Sequence, residues 1–568
     1  MVKLNNLYFI LVNAILFMIN AADIRYFGYF SAHLNVGAFA WFKYGMTTVE
    51  MLVEDRSNYV FLIVYLAAII GFSIIVWELG KKMKKRCSEY YPKFPPMNTS
   101  KKIGLTLVAF GLCFTGIRGS FQRYPLKVSN SYFSTNSFFN QIPLSPPFYL
   151  LKSYSYGKRA RHCVDHLMSE EEALSVAKTC LGASISSGGK GVERYQFATE
   201  KPIRPHIVVV LMESMSKANL SLEHKGKSLT PFLNQMKDSA YYFENFYSAG
   251  VHTNSGIVAT LYSVPAQFNK QMMHETPIVH YGGMPQELQN IGYQTLFFVT
   301  GNPQYDSMNS YLRENNVERI FSSYDYPSAK VVNNFGVQDD YLFEFGVNKL
   351  NELNQEGKPF FATFLTVSNH EPIVVPSKFK NVGANARQDI IAFADNSIKE
   401  FMEQARATKW FENTIFVFLG DHGTNSGWSN YDMPLDYNRI PLIIYSKLFK
   451  DMPRTFSQLG GQIDVFPTLM GLINHSFVNK TLGVDLLKEK RPCMFFTNDT
   501  QLGCISGSNL YIRNLLTNKD CLLGLNDEKP VDVFQQYSDI GNQLKDYALS
   551  MTIVGNLPRK KLRNGNKP

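Results

Sequence analysis

The chain has 568 residues, enough for one large domain with additional segments or for several small domains. Hydrophobic residues make up 45% and charged residues 18% of it, a balance that excludes a mainly disordered or low-complexity chain. Seven cysteines without a C-x-x-C pair exclude a disulfide-built scaffold, a zinc ribbon and a thioredoxin-type redox site. The formal net charge of +10 suits an anionic partner, either nucleic acid or phospholipid headgroups.

The N-terminal fifth has the pattern of membrane-spanning helices. Residues 59–77 carry no charge over nineteen positions, enough for a helix to cross about 30 Å of hydrocarbon. Residues 103–117 are short for a span, and residues 4–22 are uncharged but contain four Asn. Residues 26–42, interrupted by a His and an Asn, are either a fourth span or an interfacial hairpin. The sequence therefore predicts three or four spans.

The distribution of charge orients these spans. The loop 80–102 holds eight Lys and Arg against a single Glu, whereas 23–58 holds three basic and four acidic residues. By the positive-inside rule the loop 80–102 is cytoplasmic, so residues 103–117 lead outward and everything from about residue 120 lies outside the cytoplasm. No A-x-A-type cleavage site follows the first apolar stretch, which favours an anchor over a removable signal peptide.

The remainder divides by composition into a linker, one large domain and a tail. Residues 1–119 are the anchor, and residues 120–200 are a linker with short helices, one of them predicted at 169–180 from its Ser N-cap and acidic first turn. Residues 201–555 are the large domain. The basic residues 556–568 are expected to be a disordered tail.

Residues 201–555 alternate between strand and helix patterns. Apolar runs typical of buried strands lie at 206–212, 295–299, 360–367, 414–419 and 442–445. Patterns typical of helices lie at 229–242, 283–291, 306–315, 339–356, 387–407 and 463–473. This alternation predicts an α/β fold with a mainly parallel sheet between helices. In such sheets the functional loops gather at the carboxyl ends of the strands.

Chemically selective residues lie at four of these loops. Glu213 and the pair Asp421–His422 directly follow strands, His370 follows a third, and Thr253 precedes a helical pattern. Taken alone, Thr253 is most simply a helix cap, Asp421–His422 a solvated turn and His370 a turn residue. Glu213 alone is equally consistent with a metal ligand, an acid near a helix N-cap or a base. Parallel topology directs all of them into one crevice, where two acids and two histidines without a cation would be costly to bury. A divalent cation removes that cost and lowers the pKa of a coordinated threonine hydroxyl, which makes it a nucleophile.

The order of these motifs resembles a known family. Over residues 203–490 the series reads Glu213, T-P-F-L (230–233), F-E-N-F-Y-S-A-G (243–250), Thr253, N-H-E-P (369–372), G-D-H-G (420–423), R-I-P-L-I-I-Y (439–445) and I-D-V-F-P-T-L (463–469). This series resembles the lipoteichoic acid synthase branch of the sulfatase and alkaline phosphatase superfamily. The resemblance implies an alkaline-phosphatase-like fold for 201–555, as a sulfatase-like catalytic domain outside the cytoplasm.

The resemblance also implies the composition of the site. It implies one divalent cation, Mn²⁺ ahead of Mg²⁺ or Zn²⁺, held by Glu213, Thr253, Asp421 and His422. It implies that Thr253 attacks the phosphorus of a lipid headgroup and becomes covalently phospho-substituted. His370 matches the histidine beside the substrate phosphate, where it binds the phosphate or protonates a leaving alkoxide.

The function that follows from the resemblance is headgroup transfer in a cell envelope. The expected enzyme is a metal-dependent transferase that moves glycerol phosphate or phosphoethanolamine to a glycan or glycolipid acceptor. Its donor would be phosphatidylglycerol or phosphatidylethanolamine. The expected location is a bacterial cytoplasmic membrane, multi-pass, with the catalytic domain facing the periplasm or the cell exterior.

Two departures from the family pattern bear on the substrate. Where lipoteichoic acid synthases carry W-N-R, this chain has Met308–Asn309–Ser310, so Trp and Arg are both missing. Asn309 and the nearby Asp306 are therefore expected to bind a different headgroup. The family usually has five membrane spans, which is more than the three or four expected here.

Other functions remain as alternatives. A phosphodiesterase on the same fold differs only in handing the intermediate to water. A sulfatase needs a C/S-x-P-x-R sequence, and the turn that begins at Thr253 reads Thr-Asn-Ser-Gly instead. Phosphoethanolamine transferases typically carry several disulfides, and the pairs Cys163–Cys180 and Cys493–Cys504 are left open.

A non-catalytic envelope binding protein is disfavoured because every expected metal ligand is present. Nucleic-acid binding is not expected either. The basic residues concentrate in the loop 80–102 and the tail, and no nucleic-acid motif accompanies them.

Overall fold

The structure is a computed structural model, and it describes the greater part of the chain. The described residues are 2–30, 33–35, 38, 53–55, 58–90, 97–119, 131, 141–163, 167–182 and 191–558, apart from gaps at 268–270, 275–277, 425–430, 432, 516 and 526. The chain separates into two compact units. The first comprises residues 1–43 and 55–157, and the second comprises residues 44–54 and 158–568.

The helices and strands are numbered here in chain order. The helices are α1 (Val2–Phe30), α2 (Asn58–Tyr90), α3 (Thr99–Arg118), α4 (Pro146–Cys163), α5 (Glu170–Cys180), α6 (Pro231–Lys237), α7 (Thr253–Tyr262), α8 (Gly283–Asn290), α9 (Met308–Glu314), α10 (Asp339–Asn354), α11 (Ala386–Arg406), α12 (Val465–Leu472) and α13 (Ser538–Gly555). The strands are β1 (Arg194–Gln196), β2 (His206–Met212), β3 (Glu223–His224), β4 (Lys227–Ser228), β5 (Tyr241–Tyr247), β6 (Gln294–Val299), β7 (Arg319–Phe321), β8 (Phe360–Leu365), β9 (Thr414–Gly420), β10 (Leu442–Tyr445), β11 (Arg454–Gly461), β12 (Phe477–Asn479), β13 (Met494–Thr497), β14 (Gln501–Ser506), β15 (Asn509–Asn514) and β16 (Lys519–Gly524).

The first unit contains helices that are long and apolar enough to cross a membrane. Among the described residues there are three, at Lys3–Gly28, Asn58–Glu89 and Thr99–Arg118. They coincide with the segments expected to span. Of the additional segment expected over 26–42, residues 26–30 form the end of α1. Most of the remainder lies outside the described residues.

The second unit is built on an eight-stranded sheet. Its strand order is β11-β5-β10-β9-β2-β8-β6-β7. Every neighbouring pair is parallel except the two that involve β10, which runs antiparallel to β5 and to β9. The predicted α/β fold with a mainly parallel sheet is therefore confirmed.

Hydrophobic side chains bury both faces of this sheet. Along β2, Ile207, Val209 and Leu211 belong to one core cluster, whereas Val208 and Val210 belong to the other. Such a strand has no solvent-facing side, which explains its continuous β-branched sequence. Because hydrophobic side chains cover both faces of the sheet, polar functional groups are expected at the ends of its strands.

Three strands of the sheet, β5, β7 and β11, were not predicted from the sequence. Residues 229–242 were expected to be helical, but α6 ends at Lys237 and β5 begins at Tyr241. The strand β11 was not predicted, because its sequence R-T-F-S-Q-L-G-G is mostly polar. It pairs only with β5 and forms an edge of the sheet, where polar residues are tolerated.

A smaller antiparallel sheet follows the main one. Its order is β13-β14-β15-β16, and α13 comes after it in the chain. Helix α5 begins at the predicted Ser169 N-cap, which forms a capping box with Glu172. The carbonyl of Ala173 in α5 accepts a hydrogen bond from Ser550 of α13 at 2.6 Å. Helix α5 is thus tied to the end of the domain.

The cysteines are present as thiols wherever the structure describes their side chains. Cys180, Cys493 and Cys504 are free, and the side chain of Cys163 lies outside the described residues. Burial raises the pKa of Cys180 to about 11, so that thiol is held in its neutral form.

Candidate active site

The register of the main sheet brings two acids together. Strands β2 and β9 pair Met212 with Gly420, so the next residues, Glu213 and Asp421, lie side by side where the two strands end. Glu213 is 3% exposed and Asp421 is fully buried. Two buried carboxylates at adjacent strand ends are electrostatically unfavourable unless a positive partner is present.

Ser214 links these two acids. Its backbone N–H donates to Asp421 Oδ1 at 2.8 Å, and its hydroxyl donates to Glu213 Oε1 at 2.7 Å. Ser214 adopts φ 54°, a left-handed conformation that is rare for residues other than Gly and Asn. Such backbone strain is found most often at functional sites. The arrangement fixes one oxygen of each carboxylate and leaves the other oxygen of each for a further partner.

His422 completes a group of three potential metal ligands. Its Nδ1 lies 2.7 Å from the carbonyl oxygen of Gly423, so the Nδ1–H donates there and Nε2 carries the lone pair. Nε2 lies 3.6 Å from Asp421 Oδ2 and 3.9 Å from Glu213 Oε1. One ligand atom from each of the three residues falls within 4.8 Å of the others.

The three residues fit a divalent cation. The buried Asp421 Oδ2 has no hydrogen-bond partner among the described residues. Burial, followed by the charge of Glu213, raises the pKa of Asp421 to about 7. An imidazole nitrogen with two carboxylate oxygens is a ligand set that suits Mn²⁺ or Zn²⁺. A cation would supply the partner that the orphaned oxygen lacks.

Thr253 lies against this group. It is the first residue of α7, and its Oγ1 donates to Glu213 Oε2 at 3.4 Å. Gly256, one turn along, packs so closely that a Cβ there would collide with the backbone carbonyl of Asp421. The helix is therefore seated directly on the G-D-H-G turn. Its N-terminus, which carries a partial positive charge, faces the group of acids.

His370 lies on the loop that follows β8. Its Nδ1 is 2.5 Å from the carbonyl oxygen of Glu371, and its ring centroid is 4.2 Å from that of Phe335. Burial, together with the charge of His422, holds the pKa of His370 below its ordinary value. The structure thus places a half-buried imidazole, neutral at physiological pH, near the three potential ligands.

The two residues expected to contact the headgroup, Asp306 and Asn309, lie at and near the start of α9. Asp306 occupies a turn with φ 56°, and its charge contributes to raising the pKa of His252. Asn309 lies in the first turn of α9, and its backbone N–H donates to the carbonyl oxygen of Pro303 at 2.8 Å. That backbone hydrogen bond fixes the start of α9. The group of potential ligands found among the described residues comprises Glu213, Asp421 and His422, without Asp306.

Several residues at the site were not singled out from the sequence. His252 precedes Thr253, and its Nε2 lies 2.8 Å from Asp499 Oδ1 in the loop between β13 and β14. Burial works against the charged imidazole, but Asp499 outweighs it and raises the pKa of His252 above its ordinary value. Gln462 donates to the carbonyl oxygens of Gly420 and Asp421 at 3.0 and 2.7 Å. The position of His252 next to Thr253 in the sequence could have marked it as a residue of the site. Nothing in the sequence around Asp499 or Gln462 indicates the hydrogen bonds that these two residues form.

The comparisons with known proteins concern the same part of the chain. The family model described as Sulfatase matches residues 205–475, which include Glu213, Thr253, His370, Asp421 and His422. A crystal structure of an alkaline phosphatase superfamily protein from Vibrio parahaemolyticus superposes with a TM-score of 0.61 at 23% identity, covering 70% of this chain and 97% of that one. We call residues 205–475, which this family model matches, the sulfatase domain. The sulfatase domain has the alkaline-phosphatase-like α/β fold.

The sulfatase domain is also similar to lipoteichoic acid synthases. The chain is 25% identical over 332 residues to the lipoteichoic acid synthase-like protein YvgJ of Bacillus subtilis, covering 52% of each chain. It is 22% identical over 331 residues to the lipoteichoic acid synthase of Staphylococcus aureus strain USA300, covering 52% of this chain and 49% of that one. The lipoteichoic acid synthase LtaP of Listeria monocytogenes has the same fold, with a TM-score of 0.56 at 18% identity, covering 67% of this chain and 98% of that one. The chain thus spans about half the length of YvgJ and of the Staphylococcus aureus synthase.

Proposed function

We propose that the protein is a membrane-anchored, metal-dependent transferase that moves a phospho-alcohol headgroup from a phospholipid to an acceptor in the cell envelope. The observation that carries the proposal is the placement of the Thr253 hydroxyl 3.4 Å from Glu213, within a buried group of potential ligands that also includes Asp421 and His422. The similarity to lipoteichoic acid synthases supports a lipid donor. The three apolar helices support a membrane anchor.

The metal would be held by Glu213, Asp421 and His422, with Thr253 as a fourth ligand. When bound, a divalent cation stabilises negative charge on a phosphoryl oxygen and lowers the pKa of a coordinated hydroxyl. We infer Mn²⁺ as the physiological ion, with Mg²⁺ or Zn²⁺ as alternatives. The buried Asp421 Oδ2, without a hydrogen-bond partner among the described residues, supports this assignment.

The first step of the proposed reaction forms a covalent intermediate on Thr253. Its Oγ1 attacks the phosphorus of the donor phosphodiester, and the bond between phosphorus and the diacylglycerol oxygen breaks. Glu213 accepts a hydrogen bond from the Thr253 hydroxyl before the attack, and the hydroxyl proton leaves by way of this carboxylate as the bond to phosphorus forms. His370 supplies a proton to the departing diacylglycerol oxygen, since its imidazole is not used by the potential ligand group and an adjacent phosphate anion favours its protonated form.

The second step returns Thr253 to its starting state. A hydroxyl of a glycan or glycolipid attacks the phosphorus, the bond to Oγ1 breaks, and the headgroup phosphate is joined to the acceptor. The proton lost by the acceptor hydroxyl balances the one that Thr253 regains. We infer that Asp306 and Asn309 contact the headgroup, with the charge of Asp306 lying near His252 at the start of α7.

A hydrolase is the second candidate function. Thr253 is half-buried, so water as well as an acceptor hydroxyl can approach the intermediate. With water as the acceptor, the same two steps would release a free phospho-alcohol. The matching family model is described as Sulfatase, whereas the similar proteins include lipoteichoic acid synthases, so the acceptor and not the fold decides between the two functions.

The proposal is tested with donors labelled in the headgroup. The full chain in detergent micelles would be incubated with Mn²⁺ and either phosphatidylglycerol or phosphatidylethanolamine, with and without a glycolipid acceptor. We expect metal-dependent release of diacylglycerol from one donor and appearance of the label on the acceptor. Label found only as free phospho-alcohol would favour the hydrolase, and no diacylglycerol from either donor would refute both functions.

A further inference from the structure

The loop that carries His370 is held from two sides by side chains that the proposed reaction does not use. We call residues 366–370 the histidine loop. It leaves the sheet at the end of β8 and turns sharply, with the backbone N–H of His370 donating to the carbonyl oxygen of Val367 at 2.8 Å. A loop of this kind needs partners for its other backbone groups, because buried N–H groups without them are costly.

Asp339 holds the histidine loop from the helical side. It is the first residue of α10, and only 1% of it is exposed. Its Oδ1 accepts hydrogen bonds from the backbone N–H groups of Val367 at 2.8 Å and Ser368 at 3.0 Å. In return, the backbone N–H of Asp339 donates to the Ser368 hydroxyl at 3.0 Å. Three hydrogen bonds thus join the start of α10 to the histidine loop.

The other side of the histidine loop is bonded to the strand end that carries Glu213. The hydroxyl of Thr366 accepts from the backbone N–H of Glu213 at 2.9 Å. The side-chain amide of Asn369 donates to the carbonyl oxygens of Glu213 and Ser214 at 3.2 and 3.3 Å. The histidine loop is therefore attached to the backbone of the residue whose carboxylate receives the Thr253 hydrogen bond.

We propose that Asp339 is a positioning residue that fixes the histidine loop and thereby sets the place of His370 relative to Glu213 and Thr253. The inference rests on the proposed function, because it assigns His370 to the substrate phosphate. Without the Asp339 carboxylate, two backbone N–H groups lose their acceptor and the loop must rearrange to find others. A displacement on the order of 1 Å at a catalytic group costs about 10²-fold in rate.

The chain offers a matched control for this role. Asp395, on α11, is 2% exposed and also accepts from two backbone N–H groups, those of Phe232 at 3.0 Å and Leu233 at 2.8 Å. Its partners begin α6 and are not part of the histidine loop. Substitution of Asp395 therefore removes a buried carboxylate that accepts two backbone hydrogen bonds, but it leaves the contacts of the histidine loop unchanged.

The test compares D339A, D339N and D395A in the full chain. The activity is cleavage of the headgroup from the donor lipid, measured as diacylglycerol released and called headgroup release from here on. We expect D339A to lower kcat by at least about tenfold with less than about threefold change in KM and in Mn²⁺ affinity. D339N keeps an oxygen that accepts both N–H groups, so its kcat should stay within about threefold of the unsubstituted chain. D395A should lower the melting temperature but leave kcat within about threefold.

A double-substitution cycle with H370A decides whether Asp339 acts through His370. If it does, adding D339A to H370A should lower kcat by no more than about twofold further. The proposal is overturned if the two losses multiply, if D395A lowers kcat as much as D339A, or if D339N is as impaired as D339A.

The cycle has a second readout that separates this inference from the proposed function. If the unsubstituted chain releases no diacylglycerol from either donor, the proposed function fails, and the same variants are compared by calorimetric binding of inorganic phosphate to the Mn²⁺-loaded chain. Non-additive weakening of phosphate binding by D339A and H370A would still support the positioning role. Additive weakening, or no effect of D339A on phosphate binding, would overturn it.

Discussion

At the scale of single residues, the account depends on the oxygen of Thr253. Only three of the four expected ligands offer carboxylate or imidazole atoms, and these three are buried and mutually close. Thr253 is the partly accessible member, at the start of a helix whose N-terminus favours negative charge. This division of roles gives three groups that could hold a metal and one that could react.

Replacement of Thr253 separates these roles. T253A removes the attacking oxygen, and we expect headgroup release to fall by at least about 10³-fold. Because Glu213, Asp421 and His422 remain, Mn²⁺ should still raise the melting temperature of T253A, although by less than in the unsubstituted chain. T253S keeps an attacking oxygen and serves as the control. Activity in T253A close to that of T253S would contradict the assigned nucleophile.

The pH dependence of metal binding follows from Asp421. Burial and the neighbouring Glu213 raise the pKa of Asp421 to about 7, so the metal-free carboxyl is largely protonated below that pH. A cation binds the ionised carboxylate and must displace this proton, so affinity falls as the pH falls. We expect the apparent Kd for Mn²⁺ to weaken by up to about tenfold per pH unit below about pH 7.

Calorimetry in two buffers of different ionisation enthalpy measures this proton release directly. At a pH of about 6 the heat of Mn²⁺ binding should depend on the buffer, since close to one proton is released. An affinity that is flat between about pH 6 and 8, with buffer-independent heats, would show that Asp421 is already ionised in the metal-free chain.

The residues of the site were predictable where each directly follows an apolar run. Glu213 and Asp421 come after strands whose limits the sequence marks clearly, and the parallel topology brought them together as expected. Ser214 and Gln462 could not be predicted, because their roles depend on hydrogen bonds to partners distant in the chain. Asp339 is separated from its loop by a helix and a strand, and only the folded chain brings them into contact.

At the scale of elements, the packing of α7 on the turn after β9 places Thr253, the proposed nucleophile. Gly256 lies where a Cβ would collide with the Asp421 carbonyl oxygen. A side chain at this position must push α7 away from the turn, and Thr253 lies at the start of the same helix. The close approach of helix and turn is therefore a condition for the short distance between Thr253 and Glu213.

Substitution of Gly256 tests this packing. We expect G256A to destabilise the domain by about 1–3 kcal/mol, as overpacking does, and to lower headgroup release at least about tenfold. S255A, at the preceding position of the same helix, changes no backbone contact and should stay near the unsubstituted values for both. Thermal unfolding and turnover measured on the same samples provide the comparison. A G256A chain with full activity would mean that α7 can shift without moving Thr253.

The elements themselves were predictable to different degrees. Strands such as β2 and β9 are buried on both faces, so their continuous apolar sequences identify them without help from their neighbours. β5 was missed because its sequence Y-Y-F-E-N-F-Y mixes polar and aromatic residues next to a helix. The antiparallel sheet from β13 to β16 was not predicted either, since its short strands alternate with turns and carry no motif that the site uses.

At the scale of the whole molecule, the three apolar helices and the basic loop 80–102 define the expected orientation. Cys87 lies in this loop, near the end of α2, and is exposed. If the loop is cytoplasmic, a membrane-impermeant maleimide should not reach Cys87 in intact bacteria. A cysteine placed on the surface of the sulfatase domain should react under the same conditions.

This labelling needs chains with a single cysteine. One variant would retain only Cys87, and the other would carry only V332C, at a valine that is 43% exposed. We expect labelling of V332C in intact cells, and of Cys87 only after the membrane is permeabilised. The reverse pattern would place the sulfatase domain in the cytoplasm, where it could not transfer a headgroup to an acceptor in the cell envelope.

The central claim is that Thr253 carries the headgroup phosphate during the reaction. The most direct measurement is the intact mass of the full chain after incubation with Mn²⁺ and either phosphatidylglycerol or phosphatidylethanolamine, followed by peptide mapping. We expect a mass increase equal to one phospho-alcohol, located on Thr253 and missing in T253A. An unmodified Thr253 with diacylglycerol nevertheless released, or the same adduct on another residue, would contradict it.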